Sequence, residues 1–237
     1  MFKIALSAGH YLKTAGKRCL KKLDKNETRE WVLNDRICDK IEKKLKEYDG
    51  YQLLRVDDTT GATDVSIANR TKKANEWKAD FYLSIHHNAG IYGGKGGGVV
   101  AYVYTNVDAK TLSWQKDLYD AIIKRTGLKG NRATPLAKSN LAECRQTTMP
   151  AVLMECGFMD SATDVPIILT EDFAEQVATA CVEVIVAKGK LTKKQPANET
   201  TTGTIYRVQV GAYSVKANAE KLVQSLKADG YDAYITT

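Results

Sequence analysis

Short apolar runs of strand length alternate with longer stretches of helical spacing through the first 190 residues, and that alternation leaves few folds open to the chain. Residues 2–6 have the pattern of a buried strand, and Leu33, Ile37, Ile41 and Leu45 then predict an amphipathic helix over 30–48. Residues 51–56 predict a second strand, 63–77 a second helix with Ile67, Ala74 and Trp77 inward, and 80–85 a third strand. Gly93, Gly94, Gly96, Gly97 and Gly98 predict a flexible loop ahead of a β-rich run at 99–104. A helix over 109–126, a short strand at 151–154 and a closing helix over 171–188 complete the series. This order predicts an α/β domain, a mainly parallel, twisted sheet flanked by helices on both faces.

At 191–204 the composition turns to Thr, Lys, Gln, Pro, Asn and Gly, as in a linker. Beyond it, 205–210 alternates like a strand, 215–228 has helical spacing and 231–235 is strand-like, a small C-terminal βαβ unit. The expected organisation is a large domain at 1–190, a linker at 191–204 and a unit at 205–237. The last falls short of the roughly 40 residues a chain usually needs to fold unaided, so it is expected to be an incomplete module.

A net charge of +7 favours an anionic partner. The lysines are spread along helical faces and do not form a block interleaved with aromatics, so no nucleic-acid partner is expected. No stretch approaches the roughly 20 apolar residues that span a bilayer, so no membrane partner is expected either, and the chain is taken as a monomer. The apolar run behind Met1 stops at Ser7-Ala8-Gly9 without a cleavage site, which predicts synthesis in the cytoplasm without a signal peptide. Cys19, Cys38, Cys144, Cys156 and Cys181 are odd in number and lack a CxxC pair, which predicts reduced structural thiols.

The chain has only three histidines: His10 follows the first strand, and His86 and His87 follow the third. In open α/β sheets ligands bind beyond the carboxyl ends of the strands. His10, His86 and Glu155, the last directly behind strand 151–154, would all arrive at that edge. Glu30 opens the first helix, and its spacing with Asn34, Ile37 and Ile41 puts its carboxylate on the inward stripe, where it needs a partner. Glu27, about one turn earlier, competes for that role. Each residue alone has an ordinary structural use. Together, two imidazoles and a carboxylate are a common ligand set for a catalytic Zn2+, with one position left to water. Glu155 lies between an apolar strand and a glycine turn in Met154-Glu155-Cys156-Gly157-Phe158, where poor solvation raises a carboxylate pKa and suits it to general base and acid work.

These residues resemble the zinc N-acetylmuramoyl-L-alanine amidases of the amidase_3 group. Ser7-Ala8-Gly9-His10 is similar to the family's strand followed by Gly-His, Glu30 and Asn34 to its Glu-x-x-x-Asn, and Ser84-Ile85-His86-His87-Asn88 to its Ser-Ile-His-x-Asn. The stretch from Ile67 to Asn75 around Arg70 resembles its Leu-x-x-Arg-x-x-x-Ala-Asn helix. Arg145, Pro150, Ala151, Val152, Leu153, Glu155, Gly157 and Phe158 resemble its Leu-Arg…Pro-Ala-Val-Leu-x-Glu-x-Gly-Phe run. The sequence departs in reading Gly-His-Tyr where many members have Gly-His-Gly-Gly, and Ser7-Ala8 where many have Asp-Pro.

The resemblance implies one Zn2+ on His10, Glu30 and His86 rather than His87, and Glu155 as catalytic carboxylate. It also implies Asn34, Asn88 and Arg145 at the substrate, and cleavage of the amide between muramic acid and L-alanine in peptidoglycan. Residues 206–219 resemble the start of a SPOR-type repeat, which implies peptidoglycan glycan as partner. An enzyme-plus-wall-binder layout without a signal peptide suggests a phage endolysin released by a holin. Two alternatives stand beside this reading: a cysteine hydrolase built on Cys156 with a nearby histidine, and a binding protein that grips the wall without cutting it.

Overall fold

The structure, a computed structural model, describes residues 1–195 and 208–236. These divide into one unit of residues 1–194 and a second from 195 onward.

In the first unit the elements follow in order: β1 (Phe2–Ala8), α1 (Glu30–Leu45), β2 (Tyr48–Asp49), β3 (Tyr51–Arg55), α2 (Ile67–Glu76), β4 (Phe81–Asn88) and β5 (Val99–Val103). After these come α3 (Ala109–Thr126), β6 (Leu136–Lys138), α4 (Ala142–Arg145), β7 (Ala151–Phe158), α5 (Val165–Ile168), α6 (Glu171–Gly189) and β8 (Thr192–Lys193). Six strands form one sheet in the order β3-β1-β4-β7-β5-β6. The first four are mutually parallel, β5 runs antiparallel to β7, and β6 parallel to β5. The sheet is therefore mainly parallel, with helices on both faces, as the alternating pattern predicts.

Burial explains why the strands read as continuous apolar runs. Ile4, Leu6, Leu83, Ile85, Val152 and Met154 face α1, α3 and α6, whose Leu33, Ile37, Ile41, Leu118, Val177 and Cys181 close the main core. Each such side chain contributes about 1.5–3 kcal/mol by leaving water. Trp114 on α3 stacks on Phe81 with ring centroids 3.8 Å apart. A smaller cluster of Ala5, Val56, Ala74, Ala79, Tyr82 and Ala151 fills the opposite face under α2. All five cysteines are buried and unpaired.

Three expectations change. The helix expected to reach residue 48 stops at Leu45, because Tyr48 and Asp49 pair with Lys193 and Thr192 as β2 and β8. That pairing draws residues 191–194, expected in the linker, into the first unit. The glycine-rich loop is pinned: Asp164 Oδ2 accepts from Gly98 N at 2.7 Å and Asn131 Oδ1 from Gly97 N at 3.0 Å. At Gly98 φ is +92° and a Cβ would stand 2.4 Å from the Lys129 carbonyl, so glycine there serves a close backbone approach rather than looseness.

In the second unit α7 (Lys216–Ala228) forms as predicted, with Ala219, Leu222, Val223 and Leu226 half-buried. Of the strand expected at 205–210, residues 205–207 lie outside the described residues, and 208–210 are unpaired. Residues 231–235 are not a strand either. A parallel pair under one helix would leave one face of the pair uncovered, too little burial to offset the ordering of its backbone.

Candidate metal centre

The parallel strands deliver three segments to the carboxyl edge of the sheet, and there His10, Glu30 and His86 place one ligand atom each within 4.8 Å of one another. His10 follows β1 with φ at +66°, a left-handed backbone that costs of order 1–3 kcal/mol in a non-glycine residue and must be held by its surroundings. Arg70 on α2 holds it: its guanidinium donates to the Ala8 carbonyl and, at 2.7 Å, to the His10 carbonyl. Gly9 N donates to Ile85 O at 2.9 Å, which ties the same turn to β4. A Cβ on Gly9 would lie 2.1 Å from His86 Cε1, so the imidazole packs directly on the glycine backbone.

Glu30 opens α1 and is fully buried. Its Oε1 lies 3.3 Å from His10 Nε2 and 3.2 Å from His86 Nδ1, and accepts from His87 N at 3.2 Å. Donor atoms of a tetrahedral zinc site, each about 2.0–2.1 Å from the ion, stand about 3.3 Å apart, so these spacings fit the ion. Glu30 Oε2 is buried without a hydrogen bond, with the Lys17 ammonium 3.5 Å away, and is a further acceptor for a cation. The histidines hold the Glu30 carboxyl well below its ordinary range in spite of burial. Glu27 is turned away into ion pairs with Arg18 and Lys21, so the inward stripe of α1 decides between the two acids.

His86 and His87 project to opposite faces, as neighbours on a strand must. His87 is buried toward α1, where Asn34 Oδ1 meets its Nδ1 at 2.8 Å and burial pushes its pKa down to about 3. Asn34 is fully buried, and its Nδ2 donates to the Gly9 carbonyl at 3.1 Å. It bridges the His10 turn to His87. Asn88, half-buried at the end of β4, accepts at Oδ1 from Ala89 N at 2.8 Å. Arg145 is exposed on α4 and donates to Asn140 Oδ1 at 2.6 Å.

Glu155 on β7 is the register partner of His86 on β4, so the two side chains share a face of the sheet. Its Oε2 is buried without a hydrogen-bond partner, and burial lifts its pKa to about 7. Such an acid can exchange a proton at neutral pH. Cys156, next in sequence, points into the core, and burial raises its thiol well above the ordinary value. No thiolate is available there, which removes the cysteine-hydrolase alternative.

One buried acid escaped the sequence reading. Glu143 on α4 meets His86 Nε2 at 3.1 Å through Oε2, and His86 holds it down to about 2 against the effect of burial. Burial alone would lower the His86 pKa, but Glu143 and Glu30 together raise it to about 10. A single acid in a four-residue helix carries no periodicity to mark it.

Residues 4–187 match the Amidase_3 family, described as N-acetylmuramoyl-L-alanine amidase, and residues 187–237 match the SPOR domain. A sporulation-specific N-acetylmuramoyl-L-alanine amidase of Bacillus subtilis is 34% identical over 189 residues, 80% of this chain and 68% of that protein. The endolysin of Bacillus phage SPP1 is 37% identical over 128 residues, 54% of this chain and 47% of that one. The catalytic domain of CwlV, an N-acetylmuramoyl-L-alanine amidase from Bacillus (Paenibacillus) polymyxa, superposes with a TM-score of 0.71 at 23% identity, over 81% of this chain and all of that domain. An N-acetylmuramoyl-L-alanine amidase from Clostridium difficile superposes with a TM-score of 0.70 at 22% identity, over 78% of this chain and 95% of that one. The chain belongs to the Amidase_3 family of N-acetylmuramoyl-L-alanine amidases, hydrolases that cleave peptidoglycan.

Proposed function

We propose that the chain cuts the amide between the muramic acid lactyl group and L-alanine with a single Zn2+ held by His10 Nε2, Glu30 Oε1 and His86 Nδ1, and with Glu155 as the proton carrier. The observation that carries this reading is the convergence of the three ligand atoms within 4.8 Å, with Glu30 Oε1 at tetrahedral spacing from each imidazole, and a buried acid of raised pKa on the adjoining strand. The ion, when bound, supplies Lewis acidity that lowers the pKa of a water and polarises the scissile carbonyl. Glu155, poised near neutrality, accepts a proton from the attacking water at Oε2 and returns it to the leaving nitrogen. Arg70 and Asn34 keep the His10 turn fixed while this happens. Asn88 and Arg145 are assigned to the substrate, Arg145 for the anionic groups of the stem peptide.

The SPOR-like tail is read as the wall-binding part, its partner the glycan strands, and the chain as a monomer. The likeness to a phage endolysin supports an endolysin-type role, and release through a holin-type pore belongs to the same proposal. Digestion of purified peptidoglycan, with amino termini identified by mass analysis, tests the reading. New L-alanine termini that vanish on chelation and return with zinc are expected. Wall binding without new termini from zinc-loaded protein would favour the non-cutting alternative.

A further inference from the structure

Glu143 is the most heavily engaged acid beside the site. Its Oε1 accepts from the Tyr82 hydroxyl at 2.9 Å and the Ser7 hydroxyl at 3.2 Å; its Oε2 accepts from Ser84 Oγ at 3.0 Å and faces His86 Nε2 at 3.1 Å. His86 therefore has a carboxylate at each nitrogen, Glu30 at Nδ1 and Glu143 at Nε2. A neutral imidazole carries one proton, and the nitrogen without it is the one that can coordinate a metal. Since Nδ1 faces Glu30 Oε1, which His10 Nε2 also approaches, the productive tautomer is the one with its proton on Nε2.

We propose that Glu143 is the positioning residue for His86, accepting a hydrogen bond from Nε2–H so that bare Nδ1 is committed to the metal, and that it substitutes from α4 for an acid that this chain lacks at position 7. The inference rests on the zinc reading above. The second clause follows from the contacts of Ser7. Its hydroxyl lies 2.9 Å from Arg70 Nη1 and 3.2 Å from Glu143 Oε1, so it occupies the gap between the guanidinium and the carboxylate. Ser7 stands where many members of the related pattern have aspartate, and an aspartate there would bring a carboxylate toward the space that Glu143 Oε1 now fills. Arg70 and His86 thus keep an anionic neighbour, supplied by a different element. Carboxylates that orient a metal-ligating histidine in this way are worth about 10–100-fold in metal affinity.

The test compares zinc affinity, by chelator competition, in the full chain, in Glu143→Val and in Ser7→Asp/Glu143→Val, with metal-free unfolding followed in parallel. Glu143→Val is expected to bind zinc about 10–100-fold more weakly, and the added aspartate to recover most of that loss. A general packing role predicts lower stability without that recovery. Independently of whether the variants fold, long-range 1H–15N spectra of the unmodified zinc-loaded chain should show His86 protonated at Nε2 and bare at Nδ1. The reverse tautomer, or unchanged zinc affinity in Glu143→Val, would overturn the assignment. Lost affinity that Ser7→Asp fails to restore would overturn the exchange of positions. If the unmodified chain bound no zinc, the proposed function would fall as well; zinc binding with either negative result would sink this inference alone.

Discussion

Replacing Glu155 by Gln should make the metal-free protein more stable while removing its activity. Burial moves the Glu155 pKa from 4.5 to about 7. At 1.36 kcal/mol per unit, ionising it in the folded state costs about 3 kcal/mol at most, and about 2–3 once its partial exposure is allowed for. The folded pKa lies above the unfolded one, so full stability is present below 4.5 and is lost as pH rises through about 7. Gln keeps the shape and has no charge to bury. Urea unfolding of chelator-treated protein should therefore show Glu155→Gln more stable than the parent by about 2–3 kcal/mol at pH 8 and nearly equal to it at pH 4.5. Activity in the zinc-loaded form should fall by about 10²–10⁴-fold. An equal difference at both pH values, or a loss of stability at pH 8, would refute burial of the charge as the cause of the raised pKa.

Substituting His10 or His86 by Ala should abolish zinc binding along with turnover, whereas Glu155→Ala should keep one zinc per chain and lose only turnover; metal analysis of the three proteins separates ligand from base. The acid limb of kcat/KM should have its midpoint at or below about 7, because Glu155 works only when deprotonated and a nearby cation lowers its pKa further; a midpoint well above 7 would contradict the assignment. Gly9→Ala should push the His86 ring off its seat and weaken zinc binding by tenfold or more, seen by chelator competition. Cys156→Ser should leave turnover within about threefold while lowering stability by about 1–3 kcal/mol, because it puts a hydroxyl where a buried thiol packs against the core.

Much of the domain could be read in the sequence because its signals are periodic. Leu33, Ile37 and Ile41 fix the buried face of α1 and carry Glu30 with them, and strand order sends His10, His86 and Glu155 to one edge. What escaped was information without a period. Glu143 sits in a single helical turn, and only the folded chain brings it 3.1 Å from an imidazole 57 residues away. Asn34 stands in a family-like position yet is sealed from solvent by the turn it supports. The pairing of β2 with β8 involves two residues on each side, too few for an alternation to show.

The triad draws its three members from the end of β1, the start of α1 and the end of β4, with Glu30 and His86 separated by 56 positions. A bound ion would therefore act as a cross-link as well as a reagent, closing chain loops that the unfolded state leaves open. Any ion that binds only the folded form also shifts the folding equilibrium by mass action. Zinc supply would then set how long the mouth of the sheet stays shut, and amide hydrogens around the His10 turn would exchange fastest in protein stripped of it.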